Sequence, residues 1–160
     1  MALDPDELAG VCDLFGGLSR DELARAAEEL AFRRGDEFDA DAHDAAVADA
    51  IAAFVLLELA PASDDTAADA GEPLLVPGPR AFPRTPDGGA DLPHILDVSR
   101  RDVPGDAVES AVRARLAAAV NDLDEDDAER ASVLLDVTYD AAALTGGEFG
   151  DVRDAIERYV

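Results

Sequence analysis

The chain contains no lysine and no tryptophan, one cysteine, two histidines and two tyrosines among its 160 residues. Each scarcity removes a class of explanation. A single cysteine, Cys12, excludes a disulfide within the chain and any metal site built on several thiolates. Two histidines, His43 and His94, without HExxH spacing make a zinc site unexpected. Without lysine there is no P-loop, and the Gly-Gly pairs at 16–17, 88–89 and 146–147 lack GxGxxG spacing. Turns and helix stops account for all three. The longest run free of Asp, Glu, Arg and Lys covers residues 50–57, far short of the roughly 20 that span a bilayer. No membrane contact is expected. The opening MALDPDEL is acidic and lacks a basic region followed by an apolar one. It does not read as a signal peptide, and a cytoplasmic location is the expectation.

What the chain has in excess is carboxylate. Acids number 37 and bases 13, all of them arginine, for a net charge of −24. Asp outnumbers Glu by 25 to 12. In dilute buffer such a surface repels itself and weakens the compact state. At about 1 M salt the Debye length is about 3 Å, and that repulsion is largely screened. Lysine would add a long apolar stem to the exposed surface. The acids run along the whole chain and do not form a tail. This composition is similar to that of proteins from extreme halophiles that hold molar salt in the cytoplasm. Leu, Ile, Val and Phe make up a quarter of the residues, enough for a core, but 33 alanines keep it thin.

Helix punctuation is clear in the first half. Asp4-Pro5-Asp6-Glu7 supplies an N-cap, a proline at the first helical position and an acid at the third. Leu8, Val11, Cys12 and Phe15 then share one face, and Gly16-Gly17 ends the helix. Ser19 and Glu22 form a second capping box, with Leu18 able to staple onto Leu23. Leu23, Ala26, Ala27, Leu30 and Ala31 make that helix's buried stripe, and Gly35 stops it; Phe32 lies on the face opposite Leu23. A third helix starts after Asp39 or Asp41, with Val47, Ala50, Ile51 and Phe54 on its apolar face. A strand is expected from about Val55, a polar mobile loop over 61–72, and a returning strand at Leu74-Leu75-Val76.

Residues 77–104 hold six of the nine prolines and read as an ordered loop or extended connection, with a short strand at 94–98. The last third is helical again. Asp106 and Glu109 are expected to cap a helix with Val112, Leu116, Ala119, Val120 and Leu123 on its face. Asp124 and Asp127 are expected to cap the next, with Ala131, Leu134, Leu135, Thr138 and Ala142 inward. Phe149, Val152, Ile156 and Tyr159 mark a final short helix after Gly146-Gly147.

The fold class expected is therefore α+β, mainly α. Its parts are residues 1–76, a proline-rich connection over 77–104, and a helical part, 105–160, packed on the first. The order of three helices, strand, loop and strand over the first half resembles a winged-helix domain, with the second and third helices as a helix-turn-helix and the hairpin as the wing. DLFGGLSRDELARAAEELAFRRG (13–35), LLVPGPRAFPRTP (74–86), DLPHILDV (91–98) and LLDVTYD (134–140) resemble small acidic proteins of unknown function from halophilic archaea. That resemblance spans nearly the full chain and implies no activity.

No catalytic, cofactor or metal residues are expected. Cys12 lies on an apolar helix face, the setting of a buried inert thiol and not of a nucleophile. His43 follows Asp39 and Asp41 near a helix start and reads as solvated. The acidic stretch from Asn121 to Asp127 lacks the glycine and the terminal acid of a calcium loop. The would-be reading helix of a winged helix, residues 41–53, has no base and carries Asp41, Asp44 and Asp49, so phosphate would be repelled. One segment departs from the acidic pattern. Residues 77–101 carry Arg80, Arg84, Arg100 and Arg101 against three acids, with Phe82 and His94 among them. Arg and aromatics anchor interfaces. Arg80, Phe82, Arg84, His94, Arg100 and Arg101 are the candidate contact surface. A non-enzymatic interaction or regulatory protein with an unidentified protein partner is the leading expectation. A winged-helix DNA-binding regulator is the alternative, with nucleic acid disfavoured.

Overall fold

Reciprocal caps act within four residues, and they start the first two helices where the sequence places them. In the computed structural model, which describes residues 2–60 and 72–160, Asp4 accepts from the Glu7 N–H at 2.8 Å while Glu7 accepts from the Asp4 N–H at 3.2 Å. That box opens α1 (Pro5–Phe15). Ser19 and Glu22 do the same at 3.2 and 2.9 Å for α2 (Arg20–Arg34). Gly16 and Gly35, both left-handed, end the two helices. The Asp39 side chain accepts from the Ala42 N–H at 3.1 Å and opens α3 (Ala40–Ala52). This helix stops before Phe54, which takes a left-handed φ of 63° and buries its ring off the end of α3, not on its face.

The hairpin follows. β1 (Leu56–Leu59) pairs antiparallel with β2 (Leu74–Pro77), Leu57 opposite Val76. The expected mobile loop over 61–72 lies outside the described residues except for Glu72. Leu18, between α1 and α2, exchanges two backbone hydrogen bonds with Leu75, at 3.1 and 2.7 Å. It adds a one-residue third strand to the sheet. Leu8, Val11, Cys12, Phe15, Leu23, Leu30, Leu56 and Leu75 close the core between these elements.

The strand expected at 94–98 is instead a helical turn, α4 (Leu92–Ile95). Pro93 sits in its first turn, where a missing N–H costs nothing and the fixed φ is already helical. Leu92 and Leu96 are buried in the same core.

The chain divides into two units, Met1–Val103 and Pro104–Val160. The second consists of α5 (Gly105–Asn121), α6 (Ala128–Thr145) and α7 (Gly150–Glu157). Neither expected capping pair works as drawn. Pro104 is the N-cap of α5, leaving Asp106 in the first turn. Asp127 caps no α6 amide and instead accepts from the Asp124 N–H at 2.9 Å. The buried stripe of α6 is Ala131, Leu134, Val137, Thr138 and Ala141, rotated from the expected one so that Leu135 and Ala142 are only half-buried. Phe149 and Ile156 are fully buried beneath α5 and α6. The fold is α+β and mainly α, with seven α-helices among the described residues.

Candidate functional site

Residues 77–101 form a strap across α1, and two glycines of α1 explain how it lies so close. Glycine inside a helix costs about 1 kcal/mol relative to alanine. Gly10 nevertheless stands mid-helix because any Cβ there would collide with the Arg84 backbone. Gly16, with φ 77°, likewise faces the Arg101 carbonyl. The strap thus crosses α1 near its start and again at its end.

At the first crossing the Arg84 N–H donates to the Asp6 carbonyl at 3.0 Å, and the Phe82 N–H donates to Asp6 Oδ1 at 3.2 Å. The Arg84 guanidinium pairs with Asp4. Burial works to raise the Asp4 carboxyl, but the Glu7 N–H and Arg84 outweigh it and hold the pKa below its ordinary value. At the second crossing Arg100 donates to the Asp13 and Leu14 carbonyls, both at 3.0 Å, a cation on the open end of α1. Arg101 grips the buried Glu22 with both guanidinium nitrogens, at 2.8 and 3.1 Å, and the Gly17 carbonyl at 3.0 Å. Burial works to raise Glu22 too, and Arg101 with Ser19 reverses it, lowering the pKa.

The six candidate residues therefore separate. Arg84, Arg100 and Arg101 bind acceptors on α1 and α2. The half-buried Arg80 ties its N–H to the Phe54 carbonyl at 3.0 Å. His94 is exposed on α4, and Phe82 is 79 % exposed.

A seventh residue belongs with them. Phe32, on the outer face of α2, is 78 % exposed. It lines a shallow groove with Arg25, Glu28, Glu29 and the strap's Leu96. The signal for it was present in the sequence, since Phe32 falls opposite the buried stripe of α2. A chain of polar contacts joins this groove to Phe82. Arg33 reaches Asp91 at 3.5 Å and the Gly88 carbonyl at 3.4 Å. Arg34 reaches the Asp87 carbonyl at 3.3 Å and Glu7 at 3.6 Å, one residue from Asp6. Both exposed rings thus stand at the end of the unit where α2 finishes and α1 begins.

Elsewhere the chemistry is quiet. Cys12 is fully buried, and burial pushes its thiol up to about 12. His43, expected to be solvated, is buried at 2 % exposure. Its position explains this: Phe38 precedes the Asp39 cap and His43 is the fourth helical residue, so the two rings staple the helix start, 5.5 Å apart. Among the described residues its Nδ1 has no hydrogen-bond partner. Burial lowers the imidazole pKa against the opposing influence of Asp44. On α3, Asp41, Asp44 and Asp49 are all exposed. Among the described residues no three His, Cys, Asp or Glu side chains gather as a metal site, and no helix is long and apolar enough to cross a membrane.

The fold and this surface define a mainly helical α+β protein with an aromatic-bearing strap. A family model described as a family of unknown function (DUF7109) matches residues 6–160, and the chain belongs to that family. No curated protein and no solved structure matches it.

Proposed function

We propose that this is a non-enzymatic interaction or regulatory protein of a high-salt cytoplasm, of the kind halophilic archaea maintain. It meets a protein partner through the end of the first unit that displays Phe32 and Phe82. The observation that carries this reading is the exposure of those two residues, 78 % and 79 %, on a chain of net charge −24. Single exposed apolar side chains are ordinary. Two of the six phenylalanines at one end of one unit, the most exposed large apolar residues on a surface rich in carboxylate, are better suited as interface anchors. The strap's prolines restrict its backbone, which reduces the ordering cost of binding.

A winged-helix DNA-binding regulator is the second reading. The order of three helices and a hairpin supports it, as does the Leu18–Leu75 pairing that adds a strand between α1 and α2. Against it stand the three exposed aspartates of α3 and the engagement of Arg84, Arg100 and Arg101 by acceptors within the unit.

A photo-crosslinking residue placed at 32, at 82 and, as a control, at the exposed Val133 of the second unit tests the choice in the cells that make the protein. Nuclease-resistant protein adducts at 32 or 82, absent at 133, are expected. Nucleic-acid adducts, equal adducts at 133, or none at 32 and 82 overturn the reading.

A further inference from the structure

We infer that the groove between α2 and the strap receives one helix of the partner, with an apolar side chain, a base and an acid on successive turns. This rests on the protein-docking reading above and gives its partner a chemistry. Arg25, Glu28, Glu29 and Phe32 fall at i, i+3, i+4 and i+7, a single stripe along α2, and Leu96 of the strap forms the facing wall. Such a stripe beside a wall is the ridge-and-groove surface against which a second helix packs. Phe32 is 78 % exposed, whereas Leu96 is only 9 % exposed and belongs to the core. The groove therefore has a firm apolar wall and one ring that none of the described residues covers.

The charges select the occupant. Glu29 is held by Arg33 at 3.6 Å. Arg25 and Glu28 have no ion pair among the described residues, and they stand one turn apart on the groove side. From Phe32 back along α2 the order is apolar, negative, positive. A helix lying along it is complementary when it presents an apolar residue to Phe32 and Leu96, then a Lys or Arg to Glu28, then an Asp or Glu to Arg25. A second copy of this chain is a poor occupant. Laid antiparallel about Glu28, α2 faces that carboxylate with itself; laid so that Arg25 and Glu28 pair both ways, it faces Phe32 with Asp21.

Two synthetic helical peptides test this, one with Leu, Arg and Asp at the complementary spacing and one with the Arg and Asp exchanged. The two have equal net charge, so general attraction to an acidic protein cancels. Each is titrated into the full-length, isotope-labelled chain at the lowest KCl concentration that keeps it folded, and followed by NMR. The matched peptide is expected to shift residues 25–32 and 96 saturably and to bind about fivefold more tightly than the exchanged one. Phe32→Asp, at an exposed position, is expected to leave the spectrum folded and abolish binding, Glu28→Arg to erase the peptide preference, and Arg25→Glu combined with Glu28→Arg to reverse it. Equal binding of the two peptides, shifts outside the groove, or absence of binding overturns the inference. Concentration-dependent shifts at the same residues without peptide also overturn it, in favour of a second copy. If position 32 or 82 crosslinks a protein while the matched peptide fails, the docking reading stands and this inference alone falls.

Discussion

The two units carry similar charge in proportion to their length yet are held together differently. Residues 1–103 have a net charge of −15 and residues 104–160 of −9. The first unit has three side-chain-capped helices, a sheet and a core of leucines and Phe15, closed by the strap. In the second, α5, α6 and α7 have no side-chain caps, and five of the ten buried hydrophobic residues are alanine or valine. Arginine supplies what the core lacks there. Arg113 lies 4.5 Å over the buried Phe149 ring and binds the Glu148 carbonyl, joining α5 to the start of α7. Arg153 lies 4.0 Å over Tyr139 and donates to Thr138 Oγ1 at 2.9 Å, joining α7 to α6. Guanidinium stacks on rings and reaches carbonyls in a way an ammonium does not, which gives the absence of lysine a structural sense beyond solubility.

The largest effect that sharpens this contrast is that of salt. Apolar burial scales with area, so the thinner core has less to set against self-repulsion. As KCl falls from 2 M to 0.05 M, the second unit is expected to lose cooperative structure first and the first unit later. Residue-resolved NMR signals followed through the titration separate the units. Melting temperatures independent of salt would falsify the charge argument, and a reversed order would break the comparison.

Next in size is Arg101→Met. It leaves Glu22 as a buried carboxylate without its cation, and about 2–4 kcal/mol is expected to be lost from the first unit alone. Cys12 provides the readout, because its thiol is fully buried in that unit and labels only on opening. Labelling should quicken in the variant while α5–α7 signals stay unchanged. The pH response should weaken as well. In the native chain Glu22 sits below its ordinary pKa of 4.5, so its contribution is present above that value and is lost as pH falls through the lowered one. In the variant only the Ser19 bonds still oppose burial, so less stability should be lost as pH falls below 4.5. Unchanged labelling would mean that the strap's end is not anchored there.

Arg153→Lys tests the other half. Loss of the stack on Tyr139 and of the bond to Thr138 is expected to cost about 1 kcal/mol, confined to the second unit. A loss shared by α1–α3 would argue against treating the units separately.

The smallest effect is a pH response confined to the first unit, since both histidines lie there. His43 is buried with its pKa lowered from 6.5, so the unfolded chain takes up a proton near 6.5 that the folded one refuses. Its contribution is complete above 6.5 and declines as pH falls below it, until the lowered folded pKa is reached. His43→Phe should flatten this slope in denaturant melts of the first unit. A slope that persists assigns the response to another group.

Much of the fold was legible because its signals are local. Asp4 with Glu7 and Ser19 with Glu22 meet across three residues, and the stripes of α1 and α2 follow from helical period alone. The same period put Phe32 outside the core. Capping in the second unit was misread because aspartates near a helix start are abundant in so acidic a chain, and only backbone geometry decides which one caps. His43 was misread because its burial comes from Phe38 across the cap, a pairing that the neighbouring aspartates obscured.

The sequence by itself determined where the helices of the first unit begin and end, which faces are apolar, where the hairpin lies, and that the surface is carboxylate with arginine as its only base. Those are one-dimensional facts, set by neighbours within one or two turns. Only the tertiary structure decided that Gly10 and Gly16 make room for a strap, that Arg101 closes on Glu22 from 79 residues away, and that Arg84 and Arg100 also face inward. The same contacts left Phe82 and Phe32 as the exposed rings of that end. The physical reason is that an arginine rich in donors binds whichever acceptors the folded chain brings within reach, and no local pattern records which ones those are.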